Sequence, residues 1–565
     1  MTRLYRRRAL GAALIGAVMF GTLAVAMPAS ADNTQNYFAS PGTVNSSDPY
    51  VFRCNQYGVA GWCMVSSQDL GIAPLNPGLP GENYYPMDKT LMRFSKDGLK
   101  WSAPSVVSDE KYMRVKSGNK VALAKHMWAP AVRRVGLDTD NYGQQYLYVP
   151  GLTNANNKYS SRIFATTWQG NPTYNPFYNP PNFTQPNGDP GVKEVTGAPA
   201  GLYMSDPDVF SDATNWQTDT SKDYLLWADG DAGNCGGLSM RRMTSWHTIQ
   251  SFTDPATAQV KVTGFPTAWN CTPAGSANPH PYFEGASLYN LSNFRWTSTE
   301  GKPGKYTMVF AVKPKTVPAE CRSAVGETNS SFEAIAYATS NTVTGPYAYQ
   351  GIIMCGSTTE WTNQASLMEV KGANGEWRLV LVYHDGKNPG SNGNARNRQV
   401  HAECLYTVDG KFIKTMRSEG IAKLDGTKEW CLKNEHIRAL RSVSTGKFVS
   451  SKSDGLAATA SYIGPWEQFA MTQSTSNDLR INSRNGSKWV SSDRNNGKII
   501  ADRTSVGDWE KFTPVKVAGS SDIYRFKDSQ GKYWQVQSGG AIKAGSTNPS
   551  ANDQSYWFVI EYLTY

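Results

Sequence analysis

The chain has 565 residues, with 56 Lys and Arg against 46 Asp and Glu, a formal net charge of +10 and a charged fraction of 18%. That length exceeds what one hydrophobic core can hold, so two or more domains are expected. No Lys/Arg cluster is dense enough for a nucleic-acid binder, and beyond the N-terminus no run is apolar enough for a transmembrane anchor.

Residues 1–31 read as a secretion signal. Arg3, Arg6, Arg7 and Arg8 form a basic head, Ala9 to Ala26 an apolar stretch, and Ala29-Ser30-Ala31 a small-residue cleavage site. The expected product is a secreted, extracellular chain of charge about +6. Its 8 cysteines are then free to form disulfides. Cys54 and Cys63 flank a short hairpin-like segment and are the first pair expected. Neighbour pairing would add Cys235 with Cys271, Cys321 with Cys355 and Cys404 with Cys431, although spacing alone leaves the connectivity open. None sits in a CxxC spacing, which argues against a zinc site or redox pair.

Residues 32–430 are built of short aromatic and β-branched runs separated by Gly, Pro, Asn and Asp, so the chain reads as all-β. Five similar segments recur there: SSDPYVF ending at Phe52, WAPAV from Trp128, SDPDVF from Ser205, FEGASLY from Phe283 and NQASLM from Asn363. From Asp48 through Trp128, Asp206 and Glu284 to Gln364 the steps are 80, 78, 78 and 80 residues. Each unit holds four strands and long loops, the size of a β-propeller blade, and five units fill the region. A pair of β-sandwiches with coincidental spacing is the alternative. In a propeller the inner strands line one channel, so residues opening them converge. The long segment from Thr153 to Leu202 is expected to shape the pocket.

Residues 431–565 carry a second period. Phe448-Val449, Trp489-Val490 and Trp534-Gln535-Val536 follow Gly446, Gly486 and Gly531, and lead to aromatic closers at Phe469, Phe512 and Phe558. Three such units predict a β-trefoil with its aromatic residues in the core.

Three of the five converging positions are acidic. Carboxyls crowded into one channel repel each other and raise at least one pKa. Glycoside hydrolysis needs such a set: an acid for the leaving oxygen, a carboxylate that activates water or attacks, and a third charge that keeps the acid protonated.

The pattern resembles glycoside hydrolase family 43, inverting five-bladed propellers acting on arabinan, arabinoxylan and related polymers. The resemblance covers most of residues 40–415. It rests on Asp48-Pro49, Trp128-Ala129-Pro130, Ser205-Asp206-Pro207 and Glu284-Gly285-Ala286-Ser287-Leu288, with support from 93–101, 338–354 and 398–412. The tail resembles fascin-like β-trefoils appended to secreted carbohydrate enzymes, which implies a glycan ligand there. The family pattern implies Asp48 as general base, Glu284 as general acid and Asp206 as the residue that raises and holds the acid. An inverting pair stands roughly 6.5–9.5 Å apart.

Trp128, Trp62 and Trp227 are candidates to stack on sugar faces, and Arg398 and His401 to bind substrate. His126 also lies near the second-blade motif. No cofactor is required. Ala131 replaces the Asp that often follows Trp-Ala-Pro, and Asn363-Gln364-Ala365-Ser366 lacks the usual fifth-blade His. That weakens the ground for a structural calcium or similar ion, though an amide oxygen can still ligate a hard cation. The implied partner is a polysaccharide or oligosaccharide, bound by a monomer. Two rivals stand beside this reading: a non-catalytic secreted lectin or adhesin, and a fructan-cleaving propeller. The second is disfavoured because Ser47-Asp48-Pro49-Tyr50 and Glu284-Gly285 depart from its motifs.

Overall fold

The computed structural model describes residues 46–562 apart from 69–86, 136–144, 169–191, 213–221, 323–332, 388–397, 413–436 and several shorter segments. The secretion signal, His126 and Cys431 lie outside the described residues. No described helix is long and apolar enough to cross a membrane.

The alternating runs fold as five mainly antiparallel sheets, the blades of a propeller. Their inner strands are Ser46–Gln56, Ala131–Val132, Ser205–Ser211, Tyr282–Asn290 and Glu360–Lys371. Each pairs with the next strand of its blade, and the outer strands follow in chain order except that Val262–Thr263 forms the outer edge of the fourth blade. Part of the segment expected to shape the pocket does other work. Residues Thr153–Ala155, Lys158–Trp168 and Val192–Glu194 are strand residues of the second blade, because their aromatic and β-branched content suits a sheet.

The inner strands share one irregularity. Pairing with the second strand slips between Ser47 and Tyr50, Ser205 and Asp208, Glu284 and Ser287, and Asn363 and Ser366. Each slip is a bulge opened by a residue with left-handed backbone: Asp48 at φ 53°, Asp206 at 45°, Gly285 at 56° and Gln364 at 47°. Such a conformation costs a non-glycine residue about 1–3 kcal/mol and persists only where its surroundings enforce it. In the second blade, Trp128 N–H donates to Pro150 O at 3.1 Å and Ala131 pairs with Tyr148. That places Ala129 in the bulge slot and Trp128 one residue ahead of it.

Side chains between the blades form the core. One cluster joins Val51, Trp62 and Met64 of the first blade to Met368, Val380 and Val400 of the fifth, and it includes Ala439 and Ile463 from the C-terminal region. No described strand is shared between first and last blades. The ring closes there through this packing and through polar contacts such as Ser366 Oγ to Pro49 O at 2.9 Å. Tyr50 OH donates to Asp208 at 2.5 Å, and Asp208 also accepts from Leu288 N–H at 2.6 Å. One fully buried carboxylate thus ties three blades.

Cys54–Cys63, Cys235–Cys271 and Cys321–Cys355 are disulfides, as neighbour pairing expects. Cys404 is also disulfide-bonded.

Beyond the propeller, six strands close a barrel: Ile437–Ser442, Phe469–Gln473, Leu479–Ser483, Phe512–Lys516, Ile523–Asp528 and Phe558–Tyr562. Hairpins at 448–460, 488–503 and 534–544 accompany it, the arrangement of a β-trefoil. Phe469, Phe512, Phe526, Trp534 and Phe558 are buried together, in line with the core role expected of these aromatics. Phe448 and Trp489 are only half-buried.

Candidate active site

The bulges decide which side chains reach the axis. Asp48 and Asp206 occupy equivalent slots, as the spacing expects. Glu284 does not: the register puts Gly285 in that slot and Glu284 one residue earlier, beside the positions of Trp128 and Asn363. The even spacing, which counted Trp128 and Glu284, therefore misaligned the second and fourth blades by one residue. Gly285 is needed where it stands, since a Cβ there would lie 2.4 Å from Gln364 Oε1, and its φ is positive. Its N–H donates to Asp206 Oδ2 at 3.3 Å, which links the third and fourth blades at the acids.

Asp48 is buried. Its carboxylate accepts from Arg398 Nη1 at 3.1 Å and from Ser47 Oγ at 3.2 Å, and its backbone N–H donates to His384 Nδ1 at 2.9 Å. Burial, the largest single influence, would raise the Asp48 pKa, but the Arg398 guanidinium and the smaller pulls of His384 and the neighbouring serine hydroxyls together hold the carboxyl below its usual range. Burial, and then Arg398, push His384 down to about 3. His384 is therefore neutral near pH 7, and the charge that favours ionised Asp48 is that of Arg398. His401, expected to bind substrate, meets other protein groups. Its Nε2 lies 2.9 Å from Asp385 Oδ2, and its ring stacks on Tyr383.

Asp206 and Glu284 are only half-buried by surface area. Desolvation pushes Asp206 well above the usual carboxylate range, and the charges of Glu284 and Asp48 push it further. All three acids therefore share one electrostatic site. Glu284 accepts from Tyr282 OH at 2.5 Å and from Asn363 Nδ2. A tyrosine hydroxyl can equally accept a proton from a neutral carboxyl, so this contact suits either state of Glu284.

Trp128 keeps 9% of its surface and packs on Met87 and Ala129. Met87 Sδ in turn lies 3.4 Å from Arg398, which puts Trp128 at the margin of the same cluster. Trp62 and Trp227 are core residues instead, 1% and 0% exposed. Trp62 packs between the first and fifth blades under the Arg53 guanidinium, and Trp227 lies among the first three blades. Neither presents a face to a sugar.

Four site residues escaped the sequence reading: Tyr282, Glu333, Asn363 and His384. Glu333 is a fourth carboxyl. Asn363 Nδ2, which donates to Glu284, also donates to Glu333 at 2.8 Å. Asn363 and His384 face each other on neighbouring strands. Only the inner-strand position of Asn363 could have flagged one of them in advance.

Fold and site together define an all-β chain, a five-bladed propeller with an acidic axial cluster followed by a trefoil-like barrel. No protein-family model matches the chain. Among solved structures it is similar to a family 43 β-xylosidase/α-arabinofuranosidase from a compost microbial metagenome, in complex with xylotriose. The identity is 16%, the TM-score 0.40, and 67% of this chain and 98% of that chain are covered. It is also similar to an exo-β-1,3-galactanase from Clostridium thermocellum, at 12% identity and TM-score 0.41, covering 94% of this chain and 99% of that chain. SeviL, bound to the asialo-GM1 saccharide, is similar at 13% identity and TM-score 0.20, covering 22% of this chain and 97% of that chain.

Proposed function

We propose that the chain is a secreted, inverting glycoside hydrolase cleaving arabinose- or xylose-containing polysaccharide or oligosaccharide, with a glycan ligand on the trefoil. The observation that carries this reading is the division of labour among three gathered acids. Arg398 keeps Asp48 ionised, as a base that must take a proton from water requires. Burial and its acidic neighbours push Asp206 towards the protonated state. A proton is thus retained on the side of the site where Glu284 must donate one. Asp48 then deprotonates the attacking water, Glu284 protonates the departing glycosidic oxygen, and mutual repulsion between Asp206 and Glu284 keeps one proton on the pair. Arg398 acts here through Asp48. Trp128 is the remaining stacking candidate among the three tryptophans.

The test is a screen of purified protein against arabinans, xylans and galactans, followed by proton NMR of the first anomer released. Inversion is expected; retention of configuration contradicts the assigned roles. Glu284→Gln should lower turnover by about 10²–10⁴-fold, the usual contribution of general acid catalysis, while oligosaccharide binding measured by calorimetry survives. Hydrolysis near the wild-type rate in this variant removes Glu284 from the mechanism. Binding without turnover by the wild-type protein on the whole panel would indicate a lectin.

A further inference from the structure

Asn363 is an unusual neighbour for a catalytic acid. It occupies the fifth-blade slot that corresponds to Glu284 in the fourth. Its one amide nitrogen serves two carboxylates, Glu284 Oε1 and Glu333 Oε2, the latter at 2.8 Å. The orientation of the amide is fixed independently, because its Oδ1 accepts the backbone N–H of Gln364 at 2.5 Å. Both hydrogens of the NH2 group are therefore committed, one to each acid.

Glu333 directly precedes the third strand of the fourth blade, Ala334–Ser340. It also pairs with Lys313 Nζ at 3.4 Å. The charged or titratable groups acting on this corner are Glu284, Tyr282 and Lys313 of the same blade and Asp206 of the third.

We propose that Glu333 is a positioning residue for the acid: by anchoring the second hydrogen of the Asn363 amide it fixes the first one on Glu284, and its negative charge opposes loss of the proton held by Glu284 and Asp206. This inference rests on the glycosidase reading. It is consistent with the direction of the Glu333 equilibrium itself. Burial first, and then the Glu284 charge, raise it to about 7 against the opposing pull of Lys313.

Glu333→Gln and Glu333→Ala separate the two contributions. A glutamine carbonyl still accepts from Asn363 but carries no charge, whereas alanine removes both. The probes are 4-nitrophenyl and 2,4-dinitrophenyl β-D-xylopyranosides and the corresponding α-L-arabinofuranosides, since a better leaving group needs less help from the acid. For Glu333→Ala, kcat should fall by roughly tenfold with the 4-nitrophenyl glycoside and less than about twofold with the dinitrophenyl one, a difference of about fivefold or more in acid assistance. Glu333→Gln should recover most of that loss while the basic limb of its kcat/KM profile moves to lower pH, because a negative neighbour has been removed. Equal losses on both leaving groups, or an unmoved basic limb in Glu333→Gln, overturn the proposal.

A readout independent of turnover is the carboxyl carbon-13 titration of Glu333. Its midpoint should fall in Glu284→Gln, and a midpoint indifferent to that substitution also overturns the proposal. Wild-type protein idle on every glycoside would instead refute the glycosidase reading, and the carbon-13 titration would still decide whether the two carboxyls are coupled.

Discussion

Replacing Arg398 with methionine tests the electrostatics of the site most directly. The guanidinium stands 3.1 Å from Asp48, both side chains are more than nine-tenths buried, and methionine keeps much of the volume. At that distance and an effective dielectric constant of about 20, the attraction is about 5 kcal/mol. Removing one partner of a buried pair destabilises by about 3–5 kcal/mol, because the other charge is left uncompensated. The sign follows from linkage. Asp48 has a depressed pKa when folded, so it contributes stability that is present above its unfolded value of 3.8 and is lost as pH falls through the folded value. Without Arg398, burial dominates and the folded pKa rises above the unfolded one. Guanidinium unfolding at pH 7 should then show a loss of about 3–5 kcal/mol that shrinks towards pH 4. The acid limb of kcat/KM should move to higher pH, as the base is protonated sooner. A loss under about 1 kcal/mol, typical of an exposed ion pair, together with an unmoved acid limb, would refute the argument that Arg398 holds Asp48 ionised.

Asp206 offers the opposite sign. Its pKa is raised by folding, so wild-type stability declines as pH climbs above 3.8. Asp206→Asn should therefore be more stable than wild type at pH 8, about equal at pH 4, and catalytically impaired, with its basic limb shifted to lower pH; equal stability at pH 8 would contradict the burial argument. Tyr50→Phe strips the hydroxyl from buried Asp208, and thermal or urea unfolding should register a loss of about 1.5–3 kcal/mol, the range for a hydrogen bond to a charged group. In the barrel, Trp534 meets Phe512, Phe526 and Phe558 with ring centroids 5.0–6.0 Å apart; Trp534→Ala should cost about 3–5 kcal/mol, whereas little change would mean that the three aromatic units do not share one core.

The period near eighty residues made five blades legible, and turn chemistry with aromatic closers made the trefoil legible. The acids at 48 and 206 were legible because Asp-Pro repeats at blade openings. The one-residue error at Glu284 has a backbone cause: a bulge shifts register by one, and only the pairing to the second strand reveals where it falls. His384, Tyr282 and Glu333 were hidden for a related reason. They act through contacts with residues on other strands, or through strand neighbours two positions away, and carry no motif of their own. Trp62 and Trp227 were misjudged because a tryptophan in a β-protein looks alike from sequence whether its ring meets a ligand or another blade.

The closure between first and fifth blades has a consequence for how activity arises. Asp48 lies on the first blade, while Arg398 and His384 come from the fifth, with some 330 to 350 residues between them. Asp48 thus gains its guanidinium only when the earliest and latest parts of the propeller have met. A partly made or partly unwound molecule carries an Asp48 without its guanidinium. Ala439 and Ile463 sit on the same junction, so the C-terminal barrel is a clasp over the joint at which Asp48 meets Arg398.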